Sequence, residues 1–99
     1  MKPRVLRSAL NDLAAGRRFY NKTSEALGSY FFDSVFADID SLVLYAGIHR
    51  ILFGHHRLLT RRFPFAVYYR VIEGEPVVFR VLDCRMDPNW IRSELHKSA

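Results

Sequence analysis

The stretch RRFPFAVYYRVIEGEPVVFRVLDCR, Arg61 to Arg85, constrains this chain more than any other. It holds two runs rich in aromatic and β-branched residues, Phe63 to Ile72 and Pro76 to Leu82, the composition of paired strands. Between them, Glu73-Gly74-Glu75 supplies the one residue type that takes positive φ without strain, so the runs fold back as a hairpin. With those three residues as the loop, Ile72 faces Pro76, Tyr69 faces Phe79 and Val67 faces Val81. One side of the ribbon then carries Val67, Tyr69, Val71, Val77, Phe79 and Val81 as a core face. The other carries Ala66, Tyr68, Arg70, Val78, Arg80 and Leu82, a mixed face with cations. A slip of one residue would reverse every side chain.

A core face needs a cover, and helical periodicity upstream supplies it. Ser8 is the expected N-cap of a first helix, with Asp12 in its first turn. Leu10, Leu13, Ala14 and Tyr20 mark its apolar side, Gly16 weakens its middle, and it ends near Asn21. Thr23 to Gly28 form the turn. Phe32, Val35, Phe36, Ile39, Leu42, Val43 and Ala46 then follow helical spacing, with Asp33, Asp40 and Ser41 on the polar side. Gly47 stops that second helix. Ile48 to Gly54 connects to a third strand, His55 to Phe63, whose Arg57 and Arg61 alternate onto one side. Asp87-Pro88 restarts a helix, Asp as cap and Pro at the first position, with Trp90, Ile91 and Leu95 on its apolar side. Val5-Leu6 is a candidate edge strand weakened by Pro3, and whether residues 1–7 form one stays open. The expected class is α+β: an N-terminal antiparallel helical hairpin packed on an antiparallel three- to four-stranded sheet, with a short C-terminal helix. Residues 1–99 make one domain.

Charge narrows the partners. Fifteen Lys and Arg against ten Asp and Glu leave a formal net charge of +5, and Lys occurs only at positions 2, 22 and 97. Arginine's planar fork suits carboxylates, phosphates and aromatic faces, so the surplus points to an anionic partner or, more blandly, to a basic soluble surface. The single cysteine, Cys84, excludes an internal disulfide and fits a small filler in a reducing compartment rather than a catalytic thiolate. The start of the chain lacks the apolar core of a signal peptide and no run reaches membrane-spanning length, so a cytoplasmic protein without membrane partners is expected.

No cofactor or metal is expected. His49, His55 and His56 with Asp83 and Cys84 invite a metal reading, but adjacent histidines on a strand point to opposite faces, and no HExxH or paired CxxC spacing exists. What remains is Arg57, Arg61, Arg62, Arg70, Arg80 and Arg85 around a sheet, interleaved with Phe65, Tyr68 and Tyr69. Such a set binds single-stranded nucleic acid by phosphate contact and stacking, or is a solvated face over an aromatic core.

The segments RRFPFAVYYRV and EGEPVVFRVLDCRMDP, with LNDLAAGRRFY and LGSYFFDSVF upstream, resemble the RelE/ParE superfamily of bacterial toxins from type II toxin–antitoxin pairs. The resemblance runs from about Ala9 to Leu95. It implies a two-helix hairpin on an antiparallel sheet and a cognate antitoxin with an extended, often acidic tail. RelE-type members cut messenger RNA on the ribosome with basic residues on the sheet face; ParE-type members, of plasmid-stabilisation systems among others, poison DNA gyrase. Without gaps, the mid-sheet arginine of the RelE pattern falls on Ala66. The paired basic positions of the preceding strand fall on Arg57 and Leu59, and the basic position at the sheet end on Met86, next to Arg85. The final aromatic falls near Arg92, two residues after Trp90.

Alanine neither donates to a phosphate nor moves a proton, and a missing group of that kind costs a factor of about 100 or more in rate. The resemblance therefore implies a ParE-like toxin acting by binding, most directly on DNA gyrase, with no catalytic residue. Its target-binding candidates are Arg57, Arg61, Arg62, Arg70, Arg85, Trp90 and Arg92, and its antitoxin-binding candidates Arg17, Arg18 and Tyr20. The alternatives are a ribosome-dependent endoribonuclease using Arg57, Arg85, His55 and His56, and a domain that only binds antitoxin.

Overall fold

The computed structural model describes residues 2–98. Its centre is the expected hairpin, β4 (Phe65–Ile72) and β5 (Glu75–Asp83). Ile72 pairs with Glu75, and Glu73 and Gly74 take φ of 51° and 79°, so the loop has two residues where the sequence suggests three. Positive φ at both central positions matches the twist of the flanking strands, which is why the tighter turn wins. Val71 then pairs with Pro76 and Tyr69 with Val78; the register shifts between Tyr68 and Tyr69, after which Tyr68 meets Arg80 and Val67 meets Val81. Phe79 is the extra residue of this bulge.

The bulge corrects the expected faces. Phe65, Val67, Tyr69, Val78 and Val81 join the main core, whereas Val71 is exposed and Val77 and Phe79 lie outside that cluster. The opposite face is covered too: Ala66, Tyr68 and Leu82 form a second core with Ile91 and Leu95.

The sheet is mixed and five-stranded, in the order β1-β5-β4-β3-β2, not antiparallel with three or four strands. β3 is His55–Leu59, β2 is Ile51–Leu52, and β1 is Arg4–Val5, parallel to β5 with Arg4 opposite Val77. β1 covers little of the β5 edge, and helix α1 (Arg7–Asn21) covers more. Ser8 Oγ donates to the Phe79 carbonyl at 2.6 Å, and Asp12 Oδ2 accepts the Val81 N–H at 2.9 Å. Ser8 is thus not the N-cap; Leu6 holds that place without a side-chain bond. Using polar side chains of a helix to satisfy an exposed edge blunts its tendency to pair with other chains.

β3 stops four residues short of the expected Phe63. Thr60 Oγ1 donates to the Phe63 and Phe65 carbonyls at 2.7 and 2.9 Å, and the chain curls away before Pro64. Helix α2 (Glu25–Asp40) starts earlier than expected, because the Ser24 hydroxyl accepts the Leu27 N–H at 3.0 Å and starts the helix there. A single turn, α3 (Leu42–Tyr45), follows, and Gly47 with φ of 94° ends it.

α1 and α2 lie so close that a Cβ on Gly16 would stand 2.5 Å from the Phe31 ring. Ala9, Leu13, Phe31, Val35, Ile39 and Leu42 are buried against the sheet, each large side chain contributing about 1.5–3 kcal/mol. Tyr20, Phe63 and Phe65 close this core around Phe31 at centroid distances of 4.9–5.1 Å.

Helix α4 (Pro88–Ser98) begins as expected, Asp87 Oδ1 accepting the Asn89 N–H at 2.8 Å. Ile91 and Leu95 lie under the sheet, but Trp90 is exposed, correcting its expected place on the buried side. Arg80 joins the layers: its Nε is 2.7 Å from Asp12 Oδ2 on α1, and one terminal nitrogen is 3.1 Å from Glu94 Oε1 on α4. Among the described residues no helix is long and apolar enough to cross a membrane.

Candidate functional site

The predicted arginines divide between the two faces of the sheet. Arg57 pairs with Tyr68 across β3 and β4, so its side chain lies on the α4 face, whereas its neighbours His56 and Leu58 point to the helical hairpin. Arg57 is half-buried, and its Nε has no hydrogen-bond partner among the described residues. Burial works against its charge, but Cys84 and Tyr68 beside it more than offset this and raise its pKa. Tyr68 is buried, and desolvation raises its own pKa against the pull of Arg57.

Two residues along β3, His55 is 1 % exposed. Its Nδ1 donates to the Phe53 carbonyl at 3.1 Å, which leaves Nε2 as an acceptor without a partner among the described residues. Its ring meets Phe79 edge-on at 5.1 Å. Burial lowers its pKa, opposed by the hydrogen bond to the Phe53 carbonyl and reinforced by the charge of Arg70. Arg70 lies over the same Phe79 ring at 5.3 Å and donates from Nε to the Gly54 carbonyl at 3.0 Å. The α4 face therefore gathers Arg57, His55 and Arg70 around aromatic rings, but Ala66, at the position the RelE pattern gives to arginine, is fully buried beneath α4.

The hairpin face holds a second cluster. His56 stacks on the Tyr69 ring at 5.0 Å and donates from Nδ1 to the His49 carbonyl at 2.6 Å. The Tyr69 hydroxyl accepts the Gly47 N–H at 2.9 Å and stands 2.5 Å from His49 Nδ1. The hydroxyl already accepts the Gly47 N–H and has one proton to give, so donation to Nδ1 satisfies it and corresponds to the tautomer with the His49 proton on Nε2. Burial, followed by the neighbouring His56, lowers the His49 pKa; burial raises that of Tyr69.

Beside this clamp is a cleft of about 340 Å³. Ala37, Tyr45, Ile48 and Leu58 give it apolar walls, and His49, Arg61, Arg62, Ser41 and Asp38 a polar rim. Asp38 is itself buried, one carboxylate oxygen accepting the Arg61 N–H at 3.0 Å. Among the described residues neither Arg61 nor Arg62 is in an ion pair, unlike Arg80, Arg85 and Lys97.

The remaining candidates lie apart. Arg85 is exposed and grips Asp83 with Nε and one terminal nitrogen at 3.0 and 2.8 Å, the hydrogen bond pulling the Asp83 pKa down. Arg92 reaches Asn89 Oδ1 at 2.7 Å and lies 5.8 Å from the Phe53 ring centre. On the hairpin, Arg17 donates to Ser29 Oγ at 3.2 Å and covers Phe32, Arg18 is exposed, and Tyr20 is packed into the aromatic core. Arg80, counted at first among the sheet arginines, is spent on Asp12 and Glu94.

Sequence reasoning missed the Tyr69–His49 pair and the roles of Asp12 and Asp38. The signal for Tyr69 was its expected core position, since a buried tyrosine hydroxyl must find a partner; nothing local says which.

No family model matches the chain, and no curated protein sequence matches it. Among solved structures, a chain of the chromosomal ParDE TA system from P. aeruginosa superposes on it with a TM-score of 0.75, at 23% identity, covering 82% of this chain and 92% of that one. That likeness establishes a shared fold.

Proposed function

We propose that this chain is the toxin of a toxin–antitoxin pair, that it acts by binding an essential target, DNA gyrase, and that a cognate antitoxin neutralises it. The fold shared with a chain of a ParDE system supports the toxin reading. The observation that carries the choice of mechanism is Ala66: the position where a messenger-cleaving relative would hold its mid-sheet arginine is an alanine with no exposed surface, under Ile91 and Leu95.

The nuclease alternative draws on Arg57, Arg85, His55 and His56, and these do not converge. His55 is buried, His56 faces the other side of the sheet against Tyr69, and Arg85 is held by Asp83. A general acid or base must come within hydrogen-bond reach of the proton it moves, and this set offers no common point. The binding reading instead uses the exposed cations Arg61, Arg62, Arg85 and Arg92 and the exposed Trp90.

Purified protein added to gyrase supercoiling reactions should inhibit them and trap gyrase–DNA cleavage complexes, while leaving messages intact in a translation reaction. Cleavage of message at ribosomal A sites, with gyrase untouched, overturns the proposal.

A further inference from the structure

The cleft beside α3 shares only Arg61 and Arg62 with the residues that the toxin reading employs, and it has the features of a small-ligand site. Its volume of about 340 Å³ falls within the roughly 300–1,000 Å³ of such sites, mostly apolar with a few placed polar groups. Ala37, Tyr45, Ile48 and Leu58 supply the apolar walls. The polar rim is biased to one sign. Arg61 and Arg62 have no ion-pair partner among the described residues, and His49 presents Nε2–H because its Nδ1 is taken by Tyr69. The one carboxylate in the lining, Asp38, is buried and already accepts the Arg61 N–H.

We propose that this cleft binds a small amphipathic carboxylate, an aryl or alkyl group of about one ring in size carrying a single acid. The ring or chain would cover Ile48 and Leu58, and the acid would meet the guanidinium groups of Arg61 and Arg62 and the Nε2–H of His49. A bare anion such as phosphate leaves the apolar walls wet, and a neutral apolar compound leaves the cations without a counter-charge. Both halves of the ligand are therefore needed. The clamp of Tyr69 on Gly47 and His49 holds the loop that forms one wall, so the site is preformed rather than assembled by the ligand.

The proposal does not depend on the identity of the toxin's target. It is tested with 3-phenylpropanoate as the probe, 3-phenylpropanamide as its neutral isostere and inorganic phosphate as the bare anion. Binding is followed by NMR shifts of the Ile48 and Leu58 methyl groups and by calorimetry. The acid should saturate at roughly millimolar concentration or below, and the amide should bind at least about tenfold more weakly, for want of charge-assisted hydrogen bonds. R61A/R62A removes exposed side chains and should weaken the acid to the same degree, while Ala37→Leu fills the cleft without touching a charge and should abolish the methyl shifts. The proposal is overturned if the acid produces no methyl shifts, if amide and acid bind alike, if phosphate competes fully with the acid, or if Ala37→Leu binds as the wild type does.

Discussion

The hydroxyl of Tyr69, on the central strand of the sheet, stands 2.5 Å from His49 Nδ1, in the loop twenty residues earlier, and accepts the Gly47 N–H at 2.9 Å. His56 closes the arrangement from the other side, stacked on the same ring and bonded to the His49 carbonyl. One phenol thereby ties the loop between α3 and β2 to the middle of the fold.

Tyr69→Phe removes both bonds without changing the packing of the ring. Leaving two partly buried polar groups unpaired should cost about 1–3 kcal/mol. The urea midpoint should fall accordingly, and amide exchange at Gly47 should accelerate more than exchange in β4. Unchanged exchange at Gly47 would show that the clamp does not hold the loop.

Acid should weaken the fold before its carboxylates titrate. His49 and His55 both have pKa values lowered from 6.5, mainly by burial. The unfolded chain binds their protons as pH falls through 6.5, while the folded chain refuses them until the lower folded values. Stability is therefore highest above 6.5 and declines below it. Urea midpoints at pH 7.5, 6.5 and 5.5 should decrease in that order, and a double variant His49→Gln, His55→Phe should flatten the dependence. A midpoint that rises on acidification contradicts the assignment.

Gly16→Ala separates helix propensity from helix packing. The exchange favours the helix by about 1 kcal/mol, but the new Cβ would lie 2.5 Å from Phe31, a ring with no exposed surface and no room to retreat. Overpacking of this kind costs about 1–3 kcal/mol, so the variant should be no more stable than the parent and in most of that range less so. Clear stabilisation by thermal melting would mean that α1 and α2 part easily.

The Arg80 link between α1, β5 and α4 makes a graded prediction. Arg80→Ala strands Asp12 near the β5 edge and should cost roughly 1–3 kcal/mol, discounted for the partial exposure of the pair. Asp12→Asn keeps an acceptor for the Val81 N–H, at present 2.9 Å from the carboxylate, and should cost less than Asp12→Ala. Equal losses for Asn and Ala would show that charge, not the edge hydrogen bond, is what Asp12 supplies.

Ala66→Arg tests the closed sheet face. Forcing a guanidinium beneath Ile91 and Leu95 should displace α4 or unfold the domain, read as loss of protection in the amides of α4. A variant that stays fully protected would mean that this face opens at little cost.

Much of the architecture was legible along the chain because it rests on short-range physics. The alternation of Val67, Tyr69 and Val81, the glycine at the turn, the helical spacing of Val35, Ile39 and Leu42, and the Asp87-Pro88 restart each report a local preference that packing then confirms. The functional residues were harder. Arg57 and Arg61 sit four apart in one predicted strand, yet the early end of β3 sends them to different surroundings.

What the amino-acid order determined by itself was the helical hairpin, the central strands, the C-terminal helix, their sequence along the chain and much of the core, since propensity and periodicity act over a few neighbours. Only the assembled fold decided the bulge at Phe79, the parallel strand along β5, the burial of Ala66 under α4 and the bond from Tyr69 to His49. Each of these depends on groups distant in the chain, as Asp12 and Arg80 are 68 residues apart. Such partners are selected by shape and by the need to satisfy buried polar atoms, a condition no local stretch of chain can express.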